Sequence, residues 1–384
     1  MSHTIRRRAI IAIAAVSTVA ALAGCSIVST QGDATPSAAP SGAASDGVEY
    51  AKAQLEAAMA SPEFVAPGPE FDASKAAGKS VWFIPNSSSI PFTVAVQKAF
   101  ETIADKVGIN LTVWPSTGKP TEWVQGIDQA IAQDADLVVM AAPPQLVGPQ
   151  LAALADAGIP VVVPHQYDPT MEKPEDVTAF EYAPFLDAAK LMADQAIVDT
   201  NGKANTLVIT TNESPPSKPM ADAIRAEFEE YCDECSITEV NVPVADWGSK
   251  MQSEVQTALL RDPDMNYIIT IFDSATQFVV PGVAAAGKTG SVGIATFNNT
   301  PFVLENVQKG VVNMDVGESI NWIGYASMDQ VLRILSGVEP SETESATLRV
   351  FTKENADELG TPADNEKGYD EAYIAAYEKL WGID

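Results

Sequence analysis

From Lys79 onward, short apolar runs alternate with stretches whose apolar residues recur at helical spacing. "SVWFIP" is followed by the one-sided "FTVAVQKAFETIADKVG", which leads into "INLTVWP". "WVQGIDQAIAQ" then leads into "ADLVVMAAP", and "QLVGPQLAALADAG" into "IPVVVP". Near-continuous apolar strands separated by amphipathic helices predict a parallel sheet covered on both faces. A second series starts near Pro184: "PFLDAAKLMADQAIVDTNG" precedes "NTLVITT", and "MADAIRAEFEEY" precedes "SITEVNVP". "WGSKMQSEVQTALLRDP" precedes "NYIITIF", and "FVVPGVAAAGK" precedes "SVGIATF". Two βα series of similar length predict two similar α/β lobes.

Open α/β sheets bind ligands beyond the carboxyl ends of their strands, so the residues after each apolar run are the candidates for chemistry. They are Asn86, Ser87 and Ser88; Pro143 and Pro144; and His165, Gln166 and Tyr167 in the first series. In the second they are Asn212, Glu213 and Ser214; Asp246 and Trp247; Asp273 and Ser274; and Asn298 and Asn299. This is a set of amides, hydroxyls, a few acids and aromatic rings, suited to a crevice that reads a small polar molecule. It contains no metal-ligand cluster, Gly-rich phosphate loop or nucleophile elbow, so neither a metal nor a cofactor is expected.

The flanks read differently. Arg6, Arg7 and Arg8 precede a small-sided apolar run from Ala9 to Ala23, the layout of an export signal rather than a membrane span. Leu22-Ala23-Gly24-Cys25 resembles a bacterial lipoprotein box, in which Cys25 is lipidated and becomes the first residue. Residues 26–47, rich in Ser, Ala, Gly and Pro, read as a flexible tether. Residues 48–78 read as a short helix and a Pro-broken strap. The C-terminal "EKGYDEAYIAAYEKLWG" reads as an amphipathic helix docked on the second lobe.

Charge narrows the partners. The formal net charge is -28, and the signal holds three of the 23 basic residues and no acids, so cleavage takes it to -31. Such a surface excludes nucleic acid and leaves the lipid anchor as the only membrane attachment. Cys232 and Cys235 in "YCDECS" are the other thiols. They follow a helix and sit among acids, which disfavours redox chemistry, and the two further ligands that zinc would need are not visible nearby, which leaves a small structural disulfide or two idle thiols.

From about Lys79 to Lys353 the chain resembles the type I solute-binding proteins of ABC importers, in their ribose/galactose-like branch. The resemblance rests on "IPNSSSIPFTVAVQKAFE", "AALADAGIPVVVP", "VPVADWGSKMQ", "YIITIFDSATQFVVPGVAAAGK", "VGIATFNNTP" and "VNMDVGESINWIGYASMDQVLRILSG", in that order. It implies two Rossmann-like lobes joined by three crossover segments, near 180–183, 316–319 and 346–350, with the ligand in the interlobe cleft. It further implies lobes of 79–182 plus 319–348 and 183–318 plus 349–384. It also implies a monomer outside the membrane that is no enzyme and delivers a solute to a permease and its ATPase. By the same resemblance Phe92 and Trp247 would sandwich a sugar ring, whose C–H faces are apolar. His165-Gln166 stands where relatives carry Asp-Arg, Phe272 replaces an Asn beside Asp273, and Asn298 after Phe297 replaces an Asp. Glu318 stands for a Gln, and Ile90 for an Asn, while Asn86 keeps a polar strand end. The exchanges remove charge-assisted bonds to vicinal hydroxyls and make the crevice more apolar. They imply a ligand with fewer hydroxyls than an aldopentose, or with another functional group.

Two further readings stay open. His165 could serve as the general base of an enzyme, with Asp168 or Glu318 as its partner. Alternatively, the cleft could hold a nucleoside, polyol or signal molecule, in a lipoprotein that serves no importer.

Overall fold

The computed structural model describes residues 42–383. The expected signal, Cys25 and most of the expected tether lie outside them. Helix α1 (Gly42–Ala58) begins inside the stretch read as tether. Among the described residues no helix is long and apolar enough to cross a membrane.

In lobe 1 the chain runs β1 (Ser80–Ile84), α2 (Pro91–Val107), β2 (Asn110–Val113), α3 (Pro120–Ala132), β3 (Leu137–Met140), α4 (Gly148–Asp156), β4 (Val161–Tyr167) and β5 (Ala179–Tyr182). Its strands lie all parallel in the order β2-β1-β3-β4-β5. Lobe 2 follows with α5 (Phe185–Asp199), β6 (Asn205–Thr210), α6 (Ser217–Tyr231), β7 (Ser236–Asn241), α7 (Gln252–Arg261), β8 (Tyr267–Thr270), α8 (Thr276–Ala285), β9 (Gly293–Phe297), α9 (Pro301–Gln308) and β10 (Met314–Gly317). The chain then returns to lobe 1 as α10 (Ile320–Ser336), gives β11 (Arg349–Thr352) to lobe 2 and ends in α11 (Ala372–Trp381). The second sheet has the order β11-β10-β9-β8-β6-β7, with only β11 antiparallel.

The central strands β1, β3, β4, β6, β8 and β9 are apolar because helices cover both faces, and each lobe accordingly holds two apolar clusters, one per face. Edge strands β2 and β7 alternate exposed and half-buried positions, as strands with one wet flank should.

The two ends of the chain depart from simple expectation. Helix α1 lies on lobe 2, with Val48, Ala51 and Leu55 buried against α5 and α6 and the Tyr50 ring stacked on Tyr231 at 3.7 Å. The strap then crosses to lobe 1, where Phe64 meets Trp322 and Tyr377, and Phe71 takes the Arg333 guanidinium over its ring. The C-terminal helix corrects the sequence reading: α11 packs on α10 of lobe 1, not on lobe 2. The reason is aromatic. Trp381 stacks on Tyr325 at 5.4 Å, donates Nε1–H to Asp329 at 2.7 Å, and with Tyr373 and Tyr377 fills the flank of α10. The chain therefore passes between the lobes twice more than the three expected crossovers, once by the strap and once before α11. Cys232 and Cys235 are bridged at the end of α6.

Trp381→Ala empties a fully buried site and removes the bond to Asp329. Large-to-small changes of this kind cost about 3–5 kcal/mol. Chemical denaturation should show that loss; a change under about 1 kcal/mol, the scale of a surface substitution, would place α11 outside the cooperative unit.

Candidate functional site

The carboxyl ends of the two sheets face each other, and β4 is shaped to bring its end into the gap. Its register with β5 runs Val162↔Ala179, Val163↔Phe180 and Pro164↔Glu181, then jumps to Tyr167↔Tyr182. His165 and Gln166 are the residues in the irregularity, and His165 has φ 49°, a left-handed conformation that a non-glycine residue adopts at a cost. Its backbone N–H donates to Glu181 Oε2 at 2.9 Å, which holds the turn. Its ring Nε2 lies 2.6 Å from Glu318 Oε2, in the segment between β10 and α10. The imidazole is boxed by Phe92 and Phe185 at centroid distances of 5.1 Å each and stacked on Phe297 at 5.8 Å.

The surroundings of His165 are strongly acidic and dry. Burial raises the Glu318 carboxyl, and the adjacent imidazole partly offsets this through charge and hydrogen bond. Glu181 is pushed well above the usual range by burial and then by the charge of Glu318, against the N–H groups of His165 and Ala346. Two carboxylates this close in an apolar setting cannot both ionise cheaply, so Glu181 is the one held neutral. Glu344 is likewise raised, by burial and by Asp329; it accepts from the Tyr377 hydroxyl, and its backbone carbonyl accepts from Tyr182 N–H. Carboxyls from three interlobe segments thus gather behind the site. Gly317, beside Glu318, allows the close approach: a Cβ there would lie 2.2 Å from that of Asn299.

Between the strand ends lie two adjoining cavities of about 60 and 50 Å³. Of the residues expected from sequence, Asn86, Phe92, His165, Gln166, Trp247, Phe272 and Asn298 line the larger. Phe297 and Glu318 do not line it; they sit behind His165 as stacking and hydrogen-bonding support. Asp273 lines neither cavity. It accepts from Thr300 N–H at 2.5 Å, Thr300 Oγ1 at 2.8 Å and Ser274 Oγ at 3.2 Å, and burial nonetheless raises its pKa to about 7. Its task is to fasten the end of β9 to the start of α8.

Trp247 is both wall and scaffold. It is 5 % exposed, and its Nε1–H donates to Val242 O at 3.0 Å and Thr211 Oγ1 at 3.3 Å. Ile90, Thr93, Ser214, Val244 and Ser274 complete the lining. Ile90 comes from lobe 1 yet packs in the apolar cluster of Trp247 and Met251 in lobe 2. With Gln145 Nε2 donating to Glu213 O at 2.7 Å, it closes the lobes on each other. Thr93 and Phe185 escaped the strand-end rule because they sit in the first turns of α2 and α5, where a core residue looks the same. Larger surface hollows of about 420 and 520 Å³ lie around Asp199 and Asn313, beside Asn266 and Gly293 at the amino ends of β8 and β9. Strand amino ends are not where such folds bind ligands.

Two parallel-sheet lobes, closed over a cavity at their facing strand ends, define a two-lobe binding protein. The family model for the periplasmic binding protein domain matches residues 81–339, more than half of the chain, and the chain belongs to that family. Among curated proteins none matches it. Solved structures share the fold at low identity. An ABC sugar transporter subunit from Rhodobacter sphaeroides has a TM-score of 0.65 at 20% identity, covering 73% of this chain and 99% of that one. The Caulobacter myo-inositol binding protein gives 0.67 at 18%, covering 77% and 98%. The arabinose-transporter binding protein from Shewanella gives 0.65 at 19%, covering 78% and 98%.

The buried acids set a pH dependence of stability. Asp273 is raised to about 7 and Asp194, by burial and then by Glu227, to about 8. Unfolded carboxyls titrate near pH 4, so between about 4 and those values the folded chain holds more protons, and stability falls as pH rises. Exposed acids with lowered values, such as Asp72 and Asp262, act in the opposite sense but are screened by solvent. The unfolding temperature should therefore rise as pH is lowered from about 8 to about 5. A scan that falls over that range would contradict the assignment of Asp273 and Asp194 as neutral when buried.

Proposed function

We propose that the protein is the extracytoplasmic solute-capturing component of an ABC importer, held at the membrane by lipid on Cys25. It takes a small, uncharged, hydroxyl-bearing solute between its lobes and delivers it to a permease. The observation that carries this reading is the cavity wall: amides, hydroxyls and aromatic rings from both lobes, with His165 as the only titratable lining group. That group is already paired with Glu318, so the wall offers a charged solute no counter-ion of its own. Of the similar structures named above, one is described as a sugar-transporter subunit, one as bound to arabinofuranose and one as bound to myo-inositol, which agrees with such a wall. An enzyme reading has less support: a general base needs its nucleophile within hydrogen-bond reach, and among the described residues no hydroxyl or thiol is hydrogen-bonded to the imidazole, whose Nε2 pairs with Glu318.

Gln166 gives the test. Its Nε2 donates to Ala141 O, its Oε1 is buried with no protein partner, and the residue lines both cavities. Gln166→Met keeps the volume and removes the acceptor. Calorimetric titration with a panel of neutral sugars and polyols should find a saturable solute whose affinity falls about tenfold or more in the variant, the value of one buried hydrogen bond. Unchanged affinity would remove Gln166 from the site. A charged solute preferred over all neutral ones would overturn the reading.

A further inference from the structure

The cavity has two chemically different ends. One is carbon: Ile90 from the loop after β1 meets Val244, Trp247 and Phe272 of lobe 2. The one polar atom of Trp247 points away into bonds with Val242 and Thr211, so the ring presents only its carbon face. These four side chains offer a solute no hydrogen bond: Ile90, Val244 and Phe272 have no polar group, and the one on Trp247 is spent. The other end is polar. Asn86 Oδ1 already accepts from Ser87 N–H at 2.6 Å and Thr93 Oγ1 at 2.8 Å, so what Asn86 offers a solute is its NH₂ group. Gln166 offers the reverse, an unpartnered buried acceptor.

We propose that the solute is amphipathic in the same sense, a deoxy sugar or deoxy polyol. Its hydrogen- or methyl-bearing edge fits the Ile90 corner, and its hydroxyls face Asn86 and Gln166. A hydroxyl pressed into the carbon corner loses its water partners and gains none, whereas a C–H or methyl group gains contact. A methyl group also suits the edges of Ile90 and Val244, which close the corner from opposite lobes. This inference rests on the solute-capture reading and narrows it, because that reading alone would accept a fully hydroxylated sugar.

The test uses pairs that differ by one hydroxyl: L-rhamnose with L-mannose, D-fucose with D-galactose, and propane-1,2-diol with glycerol. Each is titrated calorimetrically into the purified protein, into Ile90→Asn, and into Val244→Thr, which is close to isosteric and guards against misfolding of the first variant. The deoxy member of a binding pair should bind about tenfold tighter than its partner, and either variant should shrink or reverse that ratio. Equal or tighter binding by the hydroxylated member overturns the inference and leaves solute capture standing, as does a ratio that neither variant moves. Failure of every pair to bind any of the three proteins counts against solute capture itself, and the inference goes with it.

Discussion

His165 ties the cavity wall to the segments that join the two lobes. Its backbone N–H is held by Glu181, in the strand that leads into the first crossing, and its ring by Glu318, in the second. Glu181 also takes a hydrogen bond from Ala346, in the third. One residue in a left-handed conformation is therefore bonded to the first two connections and linked through Glu181 to the third. Phe92, Phe185 and Phe297 exclude water from the ring, which strengthens its pairing with Glu318 and makes a loss of that pairing expensive. On the reading proposed above, a solute in the cavity that His165 lines meets a residue bonded to two of the three crossings.

Closure then follows from ordinary forces. Lobe 1 lends Ile90 to an apolar cluster of lobe 2, and burying such a side chain is worth about 1.5–3 kcal/mol. Few direct polar bonds cross the cleft mouth: Gln145 to Glu213, and the Phe92 N–H to Ser274 at 3.4 Å. The additions at the chain ends work on the far side. Helix α1 grips lobe 2 while the strap and α11 grip lobe 1, and Arg349 of β11 donates to Met59 O at 2.8 Å where the strap leaves α1. Two extra chain passages across the hinge limit how far the lobes can separate, in a family where hinge closure is the usual response to ligand.

Much of this was legible in the chain, because strand periodicity and the strand-end rule are both consequences of burial. The apolar runs mark β1, β3, β4, β6, β8 and β9, and reading the residues just past them finds Asn86, His165, Gln166, Ser214, Ser274 and Asn298 in the cavity wall, while Phe92 and Phe272 came from the family resemblance. What stayed hidden depends on long-range packing. Asp273 looked like a ligand group because it follows β8, yet three local hydrogen bonds consume it. Phe185 and Thr93 carry no signal beyond helical periodicity. The docking of α11 on lobe 1 was invisible because an amphipathic helix names a face but not its partner. The partner was set by Trp381 finding Asp329 and Tyr325. The left-handed turn at His165 was equally unannounced, since no glycine marks it.

Solute capture of the kind proposed requires that binding at the strand ends close the two lobes, with His165 and Glu318 linking cavity to crossings. Fluorescent labels on Asp105→Cys of α2 and Ser253→Cys of α7, both on exposed helix positions, report the interlobe distance by energy transfer. The distance should shorten saturably with solute, with the midpoint of calorimetric binding, and its coupling to occupancy should weaken in Glu318→Gln. Saturable binding with no change in distance would contradict it.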